Sequence, residues 1–168
     1  MSISRVWVMF GFVAIGILSR LLPHPPNFTA MNAMILCLGT MLGTSSLTFM
    51  AAIPTLIITD AIFGYHSTIP FVYLSYGLIA MMGTSLIGTR LIPISLLSSL
   101  LFFIVTNFGS WMTTELFPHT LNGLILCYIA ALPFLSTQIA GDLIYSAVFF
   151  GCYVACTIPY INQCQKTS

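Results

Sequence analysis

Charge is what this sequence has least of. Its 168 residues include four Lys or Arg and three Asp or Glu, 4% of the chain, against about 25% in soluble domains. Hydrophobic residues reach 58% and the mean hydropathy is +1.05. A soluble globule of this size needs a polar shell, which so few charges cannot make. The composition is that of an integral membrane protein. A net charge of +1 excludes a nucleic-acid binder that works by neutralising phosphates. Long polar connections are missing as well, so residues 1–168 read as a single membrane domain. No HExxH, P-loop, GxGxxG or Ser/His/Asp order is present, and no enzyme is expected. The five cysteines, Cys37, Cys127, Cys152, Cys156 and Cys164, are odd in number and form no CxxC. That argues against a disulfide framework or a zinc site. Neither β-barrel alternation nor an internal repeat is evident.

What is present is a series of apolar runs. A spanning helix needs about 20 mainly apolar residues. Residues 6–22 are the first candidate, read as an uncleaved anchor because no small-x-small site follows. The breaker cluster Leu22-Pro23-His24-Pro25-Pro26-Asn27 ends it. Further spans are expected at 29–43, at 46–63 with Pro54 inside, at 69–88, and at 93–108 beginning on Pro93. Residues 120–135 are too short to cross and are expected to form a half-helix or re-entrant piece, followed by a sixth full span at 138–160. The expected fold is an all-α six-transmembrane-helix bundle, with seven spans as the alternative.

With both termini cytoplasmic, Arg5, Arg90 and Lys166 lie inside and Arg20 outside, in keeping with the positive-inside rule. All three His and all three acidic residues then collect at the outer face. Asp60 there reads either as a ligand contact or as a structural tie to Arg20, because a carboxylate at membrane depth needs a partner or a water-filled cavity. Asp142 reads either as a ligand contact or as a first-turn acid stabilised by the start of the last helix. Glu115 reads as a solvated charge. His24, His66 and His119 match no compact metal motif, so neither metal nor cofactor is expected. The run Thr106-Asn107-Phe108-Gly109-Ser110-Trp111 suits a small organic ligand held by stacking and hydrogen bonds, or else an interfacial aromatic belt. Gly39 with Gly43, and Ala147, Gly151 and Ala155, form small-residue ridges read as packing surfaces within the bundle.

The run Arg20-Leu21-Leu22-Pro23-His24-Pro25-Pro26-Asn27-Phe28-Thr29 resembles the hallmark of a bacterial family of small membrane transport proteins without assigned substrates. Thr59-Asp60, Phe63-Gly64-Tyr65-His66, Val72-Tyr73-Leu74-Ser75, the run from Phe102 to Phe108, and Gly141-Asp142-Leu143-Ile144-Tyr145-Ser146 extend the resemblance over roughly residues 20–151. That family is similar in layout to the S-components of energy-coupling factor transporters. The resemblance implies a six-helix vitamin-capture subunit of the bacterial inner membrane, loaded from the outer side, with a transmembrane coupling subunit and ATPases as partners. One departure is that the first helix offers Gly11, Ala14, Gly16 and Ser19 without a clean four-residue repeat, which keeps a solitary carrier open.

The expected function is capture of a vitamin-like micronutrient in a shallow outer pocket. His24 and Asn27 would supply hydrogen bonds from the first loop, flanked by Asp60 and His66. Asn107 and Trp111 would add amide and stacking contacts, and Asp142 would close the ring. The alternative is a structural or assembly subunit of a membrane complex that binds nothing small.

Overall fold

The computed structural model describes residues 3–84 and 90–166. Among them the chain is all helix: α1 Ile3–Leu21, α2 Met31–Leu42, α3 Ser45–Phe63, α4 Ile69–Thr84, α5 Leu91–Thr113 and α6 Leu121–Lys166. The expected end of the fourth span, at 85–88, lies outside the described residues. Among the described residues three helical stretches are long and apolar enough to cross a membrane: Ser45–Phe63, Leu91–Thr113 and Leu121–Ala155.

The surface supports the same conclusion. Trp7, Phe10, Met50, Ile62, Ile92 and Leu121 are all more than half exposed, while Thr55, Thr59, Ser95, Ser98, Ser99 and Asp142 are buried. Apolar side chains outside and hydroxyls inside is an arrangement that water would penalise and lipid accepts. This is a membrane protein.

Helix α2 is the axis of the bundle. It packs against all five other helices, and every side chain from Met31 to Leu38 is buried. A helix apolar on all sides belongs in the interior. Because lipid tails are as apolar as leucine, burial there gains little from leaving water, and close packing must hold the bundle together. The closest approach is between α2 and α4. A Cβ on Gly39 would lie 2.7 Å from the Gly83 carbonyl carbon, and one on Gly83 would lie 2.9 Å from the Leu36 carbonyl oxygen. The two backbones therefore touch where neither helix carries a side chain.

Gly43 serves the turn expected at Gly43-Thr44-Ser45-Ser46 and not the packing ridge. It ends α2 in the left-handed region at φ 69°, and its N–H donates to the Gly39 carbonyl at 2.9 Å. The second expected ridge is also corrected. Ala147, Gly151 and Ala155 are exposed, and the first two line a cleft with Thr40 and Leu91 instead of packing closely on another helix.

The expected break before the last span is absent as well. Residues 120–135 and 138–160 belong to one helix of 46 residues. At 1.5 Å per residue α6 is about 69 Å long if straight, over twice the apolar thickness of a bilayer. Pro133 removes one backbone hydrogen bond but does not end the helix, as proline is tolerated where neighbouring helices and hydroxyls support the chain. The Ser136 hydroxyl donates to the Pro133 carbonyl at 2.7 Å, and α5 flanks the segment, with the Tyr128 hydroxyl donating to the Ile104 carbonyl at 2.8 Å.

The α2–α4 contact yields a direct test. Gly39→Val or Gly83→Val forces two backbones apart and should destabilise the protein by about 1–3 kcal/mol. The Gly77 position has nothing within 4 Å of a Cβ, so Gly77→Ala should leave the unfolding temperature in detergent unchanged or slightly raised. Equal unfolding temperatures for all three variants would remove the contact from the account of stability.

Candidate functional site

The ends of α1 and α3 and the starts of α2 and α4 meet at one end of the bundle, where they enclose a cavity of about 550 Å³. That is within the range of small-molecule sites, about 300–1,000 Å³. The segment joining α1 to α2 forms its rim, through Leu22, Pro23, His24, Asn27 and Thr29. Aromatic and aliphatic walls come from Phe63, Val72, Tyr76 and Phe102. Four polar side chains of the helices complete it: Arg20, Asn32, Gln138 and Asp142.

The rim is fixed by local chemistry. Pro25 and Pro26 prevent helix continuation, and the Phe28 N–H closes a turn on the Pro25 carbonyl at 3.0 Å. Asn27 sits at φ 61°, the one non-glycine residue with positive φ among the described residues, a region that asparagine tolerates better than most. The Thr137 hydroxyl of α6 donates to the Pro26 carbonyl at 2.6 Å. Beside it, Gly141 lets Phe28 lie directly on α6, where a Cβ would come within 3.2 Å of the Phe28 Cα. The start of α2 is held by α1: the Ala30 N–H donates to the Ser19 hydroxyl at 3.0 Å, which itself donates to the Gly16 carbonyl. Ala30 is the N-cap residue of α2 and carries no capping side chain, so the neighbouring helix supplies the acceptor for its N–H.

Two acids differ sharply here. Asp60 Oδ1 accepts from Arg20 Nη2 at 2.8 Å, with the side chains 4% and 16% exposed. The pair leaves Arg20 Nη1 and Asp60 Oδ2 buried without a hydrogen-bond partner. Asp142 has no such cation. Its Oδ2 accepts from Asn32 Nδ2 at 2.8 Å and from the Ser99 hydroxyl at 2.6 Å. Gln138, one turn earlier on α6, donates through Nε2 to the Ser99 carbonyl at 3.2 Å, and its Oε1 is buried without a partner. The cavity can thus hold an amphipathic molecule against aromatic walls and meet its polar groups at depth. Among the described residues no three His, Cys, Asp or Glu side chains converge on a metal-sized space.

Over residues 1–163 the sequence matches the model of a family described as a family of unknown function, DUF6580. The chain belongs to that family. No curated protein and no solved structure matches it.

In this DUF6580 protein the seven expected site residues divide into three groups. His24, Asn27 and Asp142 line the cavity. Asp60 lies behind it in the ion pair with Arg20 that the sequence raised as its structural reading. His66, Asn107 and Trp111 are not among the lining residues. His66 Nδ1 is 2.9 Å from the Thr68 hydroxyl. Asn107 Nδ2 donates to the Phe103 carbonyl of its own helix at 2.8 Å, and Trp111 Nε1 donates to the Pro118 carbonyl at 3.0 Å. The polar groups of that segment are engaged locally, within α5 and its connection to α6. Asp142 is also corrected in one respect: it lies in the middle of α6 and caps nothing.

Asn32 and Gln138 were not anticipated. The available signal was an amide inside an otherwise apolar run, which at membrane depth marks a polar site as an acid does.

The ion pair supplies a second test. Removing one partner of a buried pair strands a charge, at about 3–5 kcal/mol, whereas replacing both by apolar residues is often near neutral. Arg20→Met alone should therefore destabilise strongly, and Arg20→Met with Asp60→Leu should restore most of the loss. Additive losses in detergent unfolding would mean that the two side chains do not act as a pair.

Proposed function

We propose that this protein captures a small organic micronutrient, vitamin-like in size, at the membrane surface and passes it inward, as a membrane transport protein. What supports this reading above all is the cavity: about 550 Å³, reached from one end of the bundle, with aromatic walls and with Asp142, Asn32 and Gln138 at its depth. Asn32 and Asp142 satisfy each other, but Gln138 Oε1 is left without a partner beside this space, and an unsatisfied polar group in an apolar interior is costly unless a ligand meets it. The chemistry is binding and transfer, with no bond made or broken.

The proposed layout is S-component-like, with six membrane helices in a bacterial inner membrane and both termini cytoplasmic. The basic residues favour it: Arg5 near the start of α1, Arg90 before α5 and Lys166 at the end of α6 lie at the helix ends opposite the cavity. Arg20, at the cavity end, is matched by Asp60. The positive-inside rule then turns the cavity to the extracytoplasmic side. Gly11 and Ala14 of α1 are exposed, available to a transmembrane coupling subunit that carries ATPases; the solitary carrier does without one.

An assembly subunit is the second reading, favoured by the exposed Ala147, Gly151 and Ala155 of α6, a surface on which another helix can pack closely. Native mass spectrometry of the protein, released gently from the membranes of its host, separates the two. Capture predicts a co-purifying small molecule that persists in Asn107→Ala, whose side chain bonds its own helix, and is lost in Asp142→Ala. An empty wild-type protein carrying other membrane subunits would replace capture by assembly.

A further inference from the structure

The cavity's charges are unequal in a way that selects among ligands. Resting on the capture reading, we infer that the ligand is a small organic cation, a protonated amine or charged nitrogen heterocycle, bound with its positive group toward Asp142 and its body against Tyr76, Phe102 and Phe63.

Three observations carry this. First, the Arg20–Asp60 pair at 2.8 Å contributes no net charge to the site. Second, Asp142 is 2% exposed and lines the cavity, yet among the described residues no Lys, Arg or His nitrogen lies within 4.0 Å of it. Its neighbours Asn32 and Ser99 are neutral donors, and both use the same oxygen, Oδ2. The start of α2 beside Asn32 adds about half a positive charge, less than the full negative charge that Asp142 carries when ionised. Third, Gln138 Oε1 is a buried acceptor without a partner one helical turn from Asp142. Intramembrane acids pair with a cation or line a path for one. Beside Asp142 the unpartnered atom is the Gln138 acceptor, which a donating group would satisfy. The unpartnered donor of the lining, Arg20 Nη1, belongs to the ion pair with Asp60.

The walls decide between an organic and an inorganic cation. A bare metal ion needs several oxygen ligands turned toward it, whereas Asn32 and Ser99 turn donors toward Asp142. The space is far larger than an ion and has three aromatic side chains along it, whose ring faces attract organic cations. His24 at the rim has its Nδ1 on the Pro25 carbonyl at 2.7 Å and supplies no opposing charge to the depth of the cavity.

Benzamidinium, benzamide and benzoate share one planar shape and differ in charge, so calorimetric titration of the detergent-purified protein with each reads the preference directly. The expected result is at least tenfold tighter binding of benzamidinium than of either other probe. Asp142→Asn keeps an oxygen for Asn32 and Ser99 and should abolish the preference. Phe102→Leu should weaken benzamidinium about threefold and leave benzamide unchanged. Benzamide or benzoate binding as tightly as benzamidinium, or a neutral or anionic molecule found on the protein from its host, would overturn the cation assignment while capture stands. Sodium chloride displacing benzamidinium at matched ionic strength against choline chloride would reassign the site to an inorganic cation. Failure of all three probes to bind at millimolar concentration would overturn the assignment and count against capture in this cavity.

Discussion

The length of α2 governs the rest. Twelve residues give about 18 Å of helix, too little to cross about 30 Å of hydrocarbon, yet α2 is the one helix that touches all the others. A short central rod leaves room at an end. Here the space lies over its first turn, where Thr29 and Asn32 line the cavity and the chain arriving from α1 forms the rim. The tight Gly39–Gly83 contact further down keeps α2 and α4 together. Restoring length at the start of α2 would fill the site; loosening the glycine contact would unseat the helix that forms its floor.

Depth then makes polarity conspicuous. Most hydroxyls in the bundle are satisfied within their own helix: Thr59 on Thr55, Thr106 on Phe102, Thr113 on Gly109. These bonds cross between no elements and create no site. Asp142 does the opposite, drawing donors from α2 and α5 onto α6. It ties the three helices at the level of the cavity. Without it, Asn32 and Ser99 would face each other's helices with no common acceptor.

Much of the architecture was legible because it follows from apolar length and breakers. Pro23 to Asn27, Gly43 and Gly64 mark the ends of α1, α2 and α3 as simple chemistry predicts. The misreading at 120–135 has a clear cause: a segment of about fifteen residues looks too short to span only if it is assumed to stop before the next span begins at 138. The same assumption placed Asp142 at a helix start. For the site, the clustering of acids and histidines at one end pointed to the end where the cavity lies, and His24, Asn27 and Asp142 line it. It also drew in Asn107 and Trp111, whose polar atoms find partners within their own segment, a matter of side-chain geometry that composition does not encode. Asn32 and Gln138 were passed over because they are neutral, although at this depth an amide is as exceptional as an acid.

The cavity is blind, and that bears on how a captured molecule would leave it. Below the level of Asp142 and Ser99, the Ser95 and Ser146 hydroxyls meet at 3.2 Å, and Phe149 is fully buried against Phe12, ring centroids 4.5 Å apart. Beyond that layer a second cleft of about 360 Å³, lined by Thr40, Leu91, Ala147 and Gly151, shares no lining residue with the first. A serine pair and one buried aromatic layer therefore stand between two spaces that open at different levels of α5 and α6. Close-packed layers of this kind do not yield gradually. A ligand held at Asp142 would reach the other side only if α5 and α6 part at Ser95 and Ser146, or if the whole bundle turns in the membrane with the cavity intact. The first route breaks the Ser95–Ser146 hydrogen bond between α5 and α6; the second breaks nothing inside the protein, and its cost falls on the surrounding lipid.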